Sequence, residues 1–237
     1  TVDKINEDKA LAFLKSCHPD AVICLAAAVS WRSDMNFLKD IKQQLSTKII
    51  ISGDFPRAYS RKVLLEHEYI DAVLFDFTEC EIARYICEEG SGIYQHLVTR
   101  VESKQDLTVE QKIFSYPVPQ YDLFPFSKYH LPHIHYHPFA PLLTTFSCMH
   151  SCIFCPFERI PFKLRNMNNV EEELAAIRSG GIREILLRDQ SFGSHEQHAK
   201  DFCQLMEKMA SPFSWSCEMR VDAAKECLLQ KMKSISR

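Results

Sequence analysis

The chain has 237 residues, is 46% hydrophobic and 25% charged, and carries a formal net charge of −3. That is enough for one large domain or two small ones with genuine cores, and the mixed charge offers no basic block for a nucleic acid or an anionic membrane. The longest apolar run, Ala21 to Val29, is far too short to span a bilayer, and the polar start at Thr1 carries no signal-peptide pattern, so a cytoplasmic protein is expected. The start without Met suggests a piece of a longer protein.

The first ninety or so residues alternate between helical and strand periods. Glu7 to Cys17 reads as a helix with Ala10, Leu11 and Leu14 on one face, and Asp20 to Ala27 as an apolar strand. Asp34 to Leu45 is amphipathic with Phe37, Leu38 and Ile41 inward, and Lys48 to Ser52 is a second strand. Pro56 to Glu68 follows as a helix, with proline tolerated near its start. Asp71 to Asp76 is a third strand, and Thr78 with Glu81 forms a capping box for a helix ending at Gly90. Buried strands alternating with helices predict a parallel sheet, with ligands at the carboxyl ends of its strands. Ile93 to Arg100 and Gln111 to Tyr116 are expected to pair as a hairpin.

Composition then shifts: eight of the eleven prolines fall between Pro117 and Pro161, which excludes regular helix there. Tyr116 to Pro138 reads as an extended linker. Three βα units follow. Phe139 to Phe146 is a strand, with a long loop over Ser147 to Arg165, and Asn169 and Glu172 cap a helix ending at Gly180-Gly181. Arg183 to Arg188 is a strand, His195 to Met209 a helix, Phe213 to Glu218 a strand and Asp222 to Met232 a helix. No fixed-period repeat is visible.

Ten cysteines is a high count for this length. Cys24, Cys87, Cys203 and Cys227 lie in periodic apolar segments and are expected as small core residues in a reducing compartment, unlike a secreted disulfide scaffold. Only Cys148-Met-His-Ser-Cys152-Ile-Phe-Cys155 is closely spaced. It falls in the loop after a strand, where α/β barrels place their chemistry. Three thiolates in a tight loop can hold three irons of a cubane cluster and leave the fourth open to substrate. A zinc site completed by His150 or another histidine is the alternative.

The spacing C-x3-C-x2-C, with an aromatic just before the last cysteine, resembles the radical SAM superfamily. The resemblance implies a [4Fe–4S] cluster on Cys148, Cys152 and Cys155. Its open iron would chelate S-adenosylmethionine, and an electron from the cluster would release a 5′-deoxyadenosyl radical. Phe154 matches the aromatic beside cluster and adenine. Val170-Glu-Glu-Glu-Leu174, Ile182-Arg-Glu-Ile-Leu-Leu-Arg-Asp-Gln-Ser-Phe192 and Trp215-Ser-Cys-Glu-Met-Arg-Val-Asp222 look like the cobalamin-dependent branch. By that resemblance Asp189, Gln190, Glu218 and Arg220 lie near S-adenosylmethionine, with Arg220 pairing its carboxylate. Pro19-Asp-Ala-Val-Ile-Cys-Leu-Ala26 and Lys48-Ile-Ile-Ile-Ser-Gly53 resemble the cobalamin-binding domain, which would place Ser30, Ser52 and Gly53 along a cobalamin tail. Two departures stand out: Ser52-Gly53-Asp54 replaces the usual double glycine, and Asp76-Phe-Thr-Glu-Cys80 replaces a Gly-Glu-Gly-Glu-like turn. No Asp-x-His-x-x-Gly motif is present, so no histidine is named as lower cobalt ligand.

The expected fold is therefore α/β. Residues 1–115 form a Rossmann-like, cobalamin-binding-like parallel-sheet domain lacking its first strand. Residues 116–138 form the Pro- and aromatic-rich linker, and 139–237 the first three units, or first half, of a partial (β/α)6 radical SAM barrel. The expected function is that of a radical SAM enzyme, of methyltransferase or cyclase type, acting on a small molecule and fed by a donor such as flavodoxin or ferredoxin. The fragment alone is not expected to be fully active. One alternative is a methylthiotransferase-like enzyme whose second cluster would draw on Cys17, Cys24, Cys80 and Cys87. The other is a non-catalytic zinc- or cluster-binding module. His130, His133, His135 and His137 are a further candidate metal group, with interdomain packing as the other reading. Phe124, Phe126, Tyr129 and Tyr136 are expected to glue the linker to its neighbours or to line a channel. Arg159 and Lys163 are either solvated or contacts for an anionic substrate.

Overall fold

A computed structural model describes residues 6–88, 92–100, 113–155, 157, 160–209 and 213–235. The chain divides into two compact units, one built mainly of residues 3–108 together with 153–160, the other of 109–152 and 161–237. No helix among the described residues is long and apolar enough to cross a membrane.

In the first unit the order is α1 (Glu7–Cys17), β1 (Ala21–Leu25), α2 (Trp31–Gln44), β2 (Lys48–Ser52), α3 (Asp54–Ala58), α4 (Ser60–Glu66), β3 (Ala72–Leu74), α5 (Glu81–Cys87) and β4 (Leu97–Thr99). The sheet runs β1-β2-β3-β4, with the first three strands parallel and β4 antiparallel to β3. Alternation along β2 decides its two faces. Ile49 and Ile51 pack with Leu38 and Ile41 of α2 and Val63 of α4, while Ile50 packs with Ala72, Leu74, Tyr85, Tyr94 and Leu97. The side chain of Asn6 caps α1 by accepting from the Lys9 amide at 3.0 Å.

Gly53 ends β2 with φ +130°, and a Cβ there would lie 2.2 Å from the Ala26 carbonyl oxygen. Only glycine allows this backbone approach.

The second unit contains β5 (Ile113–Phe114), two 3-10 turns (Tyr121–Leu123 and Phe126–Lys128), β6 (Phe139–Leu142), β7 (Thr145–Phe146) and β8 (Lys163–Arg165). They are followed by α6 (Met167–Ser179), β9 (Glu184–Leu187), α7 (Glu196–Lys208), β10 (Ser214–Ser216) and α8 (Glu226–Ile235). One sheet runs β10-β9-β6, all parallel, and a small one runs β5-β8-β7. Ala140, Leu142, Ile185 and Leu187 form its core with Val170, Leu174 and Ile177 of α6 and Phe202 and Met206 of α7.

Several expectations are corrected. The hairpin does not form: Leu97–Thr99 pairs antiparallel with β3, and Ile113–Phe114 pairs parallel with β8. Leu97, Val98 and Thr99 are all buried, so this run needs cover on both faces rather than a half-solvated partner. The single strand expected over Phe139 to Phe146 divides at Thr144, with its two parts in different sheets. The helix placed over Pro56 to Glu68 breaks at Tyr59 into α3 and α4. Asn166, not Asn169, caps α6, accepting from the Asn168 amide at 2.9 Å. Asn169 instead takes the Tyr116 amide at 3.1 Å and Arg165 Nε at 2.9 Å. Lys163, expected either solvated or in contact with an anionic substrate, is buried in β8. Cys203 is buried as expected, but Cys87 and Cys227 are exposed. The expected helix end at Gly90 and the position of Arg159 lie outside the described residues.

A buried ion pair ties this unit together. Arg165 Nη1 lies 2.5 Å from Glu173 Oε2, with side chains 0% and 1% exposed. The Tyr121 hydroxyl donates to Glu173 Oε1 at 2.5 Å, and the Tyr116 hydroxyl to Oε2 at 3.1 Å. The guanidinium also lies 3.8 Å over the Tyr116 ring and donates to the Leu143 carbonyl at 3.1 Å. Tyr116 and Tyr121, in the segment expected as an extended linker, are thereby held to α6 and β8. Burial, then the Glu173 charge, push both tyrosine hydroxyls well above their ordinary range.

Two stability outcomes follow. Gly53→Ala should lower unfolding free energy by more than about 2 kcal/mol, because both φ and the Ala26 contact oppose a Cβ; urea unfolding within about 0.5 kcal/mol of wild type would contradict this. Glu173→Ala leaves a buried guanidinium unpaired and should cost about 3–5 kcal/mol, whereas Arg165→Met with Glu173→Leu should cost less than the single change. A single-variant loss below about 1 kcal/mol in the same assay would show the pair to be dispensable.

Candidate metal centre

Because β6, β9 and β10 are parallel, the segments after them leave one edge of the sheet. These are Leu143 to Cys155 after β6, Arg188 to Ser194 after β9, and Cys217 to Arg220 after β10. The residues expected as cluster ligands and S-adenosylmethionine contacts lie in sequence on these three segments, with Ile153 to Cys155 grouped with the first unit. The Phe192 amide donates to the Glu218 carbonyl at 2.9 Å and ties the second segment to the third.

Cys148, Cys152 and Cys155 are unbridged and half-buried. Ser147, just before the first of them, is buried with φ 65°, a left-handed conformation uncommon for a residue with a side chain. His150 Nε2 is 3.2 Å from Ser194 Oγ, which in turn donates to Ser191 Oγ at 2.8 Å, so the loop is docked on the turn after β9. Among the described residues no three His, Cys, Asp or Glu side chains converge at metal-holding distance. The donor chemistry nevertheless fits an iron–sulfur cluster: three thiols in an eight-residue loop, none committed to a disulfide.

The other expected residues differ in what they offer. Phe154 is 87% exposed. Gln190 and Glu218 are exposed at the ends of β9 and β10. Arg220 is exposed and bonds Asp222 through Nε at 2.9 Å and Nη2 at 2.8 Å. An exposed pair of this kind is worth little, so Arg220 can exchange Asp222 for a ligand carboxylate at small cost. Asp189 is different: it is 3% exposed. Its Oδ1 accepts the Thr144 amide at 2.7 Å and the Thr145 amide at 3.0 Å, and Oδ2 accepts from the Thr144 hydroxyl.

Sequence reasoning did not reach Thr144, Arg165 or His198. The Thr144 carbonyl accepts from the Arg165 amide at 2.9 Å and faces His198 Nε2 at 2.8 Å. A carbonyl only accepts, so Nε2 carries the proton. Burial, the largest influence, pushes the His198 pKa down. The one available signal was a histidine on the apolar face of α7, which by itself does not name a partner.

The positions expected along a cobalamin tail already serve the fold. Ser30 precedes α2 and donates to Asp34 at 2.6 Å. Ser52 donates to the Leu74 carbonyl at 2.9 Å and receives Arg57 Nη2 at 3.2 Å. The space a Gly53 side chain would fill is taken by the Ala26 carbonyl. These contacts are what the three positions contribute to the fold. Of the other cysteines considered for a second cluster, Cys17 ends α1, Cys24 is in β1, Cys80 precedes α5 and Cys87 ends it. The ring centroids of His130 and His137 lie 4.6 Å apart, with the planes tilted by 49°. Phe126 packs against the core and Tyr129 against Ile134, Phe139 and Leu186, while Phe124 and Tyr136 are about half exposed.

No family model matches the chain. A curated relative, "Uncharacterized methyltransferase PH0819" of Pyrococcus horikoshii, is 27% identical over 139 residues, covering 56% of this chain and 29% of the relative. The radical S-adenosylmethionine methyltransferase TsrM of Kitasatospora setae, solved with cobalamin and a [4Fe–4S] cluster, superposes with a TM-score of 0.75 at 13% identity. That match covers 97% of this chain and 51% of TsrM. The cobalamin-dependent S-adenosylmethionine radical enzyme OxsB, solved with aqua-cobalamin and S-adenosylmethionine, superposes with a TM-score of 0.70 at 14% identity, covering 97% of this chain and 35% of OxsB. The chain thus spans about half the length of TsrM and under a third of its curated relative. Over that span it has the mixed α/β fold with parallel sheets found in cobalamin-dependent radical SAM enzymes.

Proposed function

We propose that the protein is a radical SAM enzyme, and that the loop bearing Cys148, Cys152 and Cys155 holds a [4Fe–4S] cluster. The observation that carries the reading is the placement of three unbridged cysteines on a loop leaving the carboxyl edge of a parallel sheet. The fold shared with TsrM and OxsB supports it. When bound, the cluster would supply the electron that cleaves the sulfonium of S-adenosylmethionine and starts radical chemistry on a small organic substrate.

The chain's own residues have three tasks. The three thiolates of Cys148, Cys152 and Cys155 would hold the cluster, which would supply an open site for the amino acid end of S-adenosylmethionine. Arg220 exchanges Asp222 for that carboxylate, and Gln190 and Glu218, exposed on the same edge, offer hydrogen bonds to its amino group and ribose. Phe154 presents an uncommitted aromatic face beside the last cysteine, suited to covering the adenine and keeping water from the cluster. The reducing electron comes from a small donor protein such as flavodoxin or ferredoxin. Methyl transfer is the favoured outcome, because both TsrM and the curated relative carry the name methyltransferase. No step is routed through cobalamin.

Full-length protein reconstituted anaerobically with iron and sulfide, then given dithionite and S-adenosylmethionine, should form 5′-deoxyadenosine. Cys152→Ala should abolish it and lower bound iron. Wild type that forms none while holding its cluster, or Cys152→Ala that still forms it, would defeat the reading.

A further inference from the structure

We propose that Asp189 and His198 are positioning residues: they clamp Thr144 and thereby set how the cysteine loop leaves the sheet, so that they govern cluster retention rather than S-adenosylmethionine binding. The proposal rests on the cluster reading of the loop and deepens it. It also assigns Asp189 a role other than the cofactor contact that the sequence pattern suggests.

Thr144 is 0% exposed and lies where one strand of the sheet stops and a strand of another begins. A residue there has no ladder to satisfy both its backbone groups, and inside a protein they cannot be left unpaired. Three elements meet the need. Asp189, just past β9, takes the amides of Thr144 and Thr145 and the Thr144 hydroxyl. His198 from α7 and the amide of Arg165 in β8 both reach the Thr144 carbonyl. Every polar group of Thr144 is therefore held: the amide and hydroxyl by Asp189, and the carbonyl by His198 and Arg165.

The consequence is felt three residues on. Ser147 has a left-handed backbone at φ 65° and sends Cys148 out of the sheet. Such a conformation in a residue with a side chain is strained and persists only where its surroundings over-determine it. The clamp supplies part of that determination, since the backbone is pinned at residues 144 and 145. Asp189 is poorly placed for a cofactor contact. It is almost wholly buried, and both its oxygens accept hydrogen bonds that an incoming amino group would have to displace. Groups that orient metal ligands from behind typically change metal affinity by ~10–100-fold when altered, without touching the metal.

The test compares wild type with Thr144→Val, Thr144→Ser and Asp189→Asn, each reconstituted anaerobically and checked for fold by circular dichroism. Two quantities are read. One is the rate at which iron is lost to a chelator. The other is the dissociation constant of S-adenosylmethionine, from the change it causes in the EPR signal of the reduced cluster. Thr144→Val and Asp189→Asn should lose iron ~10–100-fold faster, with S-adenosylmethionine affinity unchanged within about two-fold in the molecules that keep a cluster. Thr144→Ser, which restores the hydroxyl, should behave as wild type. If Thr144→Val does not fold, Asp189→Asn decides, because it retains an acceptor oxygen for the two amides. Wild-type iron retention in the folded variants would overturn the proposal, as would intact retention with lost S-adenosylmethionine affinity. Wild type that holds no iron would instead defeat the cluster reading, and the clamp with it.

Discussion

Polar groups sealed away from water must find partners within the protein, and the second unit is organised around meeting that constraint. Arg165 has no exposed side-chain surface, and its guanidinium is shared among Glu173, Tyr116, Asn169 and the Leu143 carbonyl. Its amide reaches Thr144, whose remaining groups go to Asp189 and His198. The result is one connected set of hydrogen bonds running from the Tyr116–Tyr121 segment through α6 and β8 to the ends of β6 and β9. Removing Glu173 or Asp189 from it leaves a buried charge or amide short of a partner, which costs more than the bond itself contributes.

That network bears on chemistry because of where it ends. The chain passes from Thr144 through the left-handed Ser147 into Cys148, so the origin of the cysteine loop is the best-anchored part of the edge. The groups proposed to meet S-adenosylmethionine are, by contrast, loosely held. Gln190, Glu218 and Phe154 are exposed, and Arg220 is paired only with an exposed carboxylate. A rigid base for metal ligands and an exchangeable rim for a small molecule are what such a site requires.

Much of the fold was legible in local sequence. Residues such as Leu38 and Ile41 at helical spacing, and Ile49 to Ile51 as a continuous apolar strand, place their elements without knowledge of contacts. The cysteine loop stands out in the sequence for the same reason, since its spacing is local. What was not legible depends on pairings distant in sequence. Leu97–Thr99 looked like one arm of a hairpin because its own residues do not reveal that β3 awaits it. Asn169 looked like a helix cap, a role its type favours, but Tyr116 and Arg165 claim its side chain and Asn166 caps instead. Asp189 stood at the right place on the right strand to suggest a ligand contact. That its carboxylate turns toward Thr144 is decided by a residue 45 positions earlier. The family-like positions Ser52 and Gly53 were found readily, yet their commitments to Leu74 and Ala26 arise only on folding.

The most direct measurement is Mössbauer spectroscopy of protein reconstituted with iron-57, with and without S-adenosylmethionine. About four irons per chain as one cluster are predicted, with a single iron changing its signal when S-adenosylmethionine is added. A spectrum indifferent to S-adenosylmethionine, or a protein that takes up zinc in place of iron, would contradict the account.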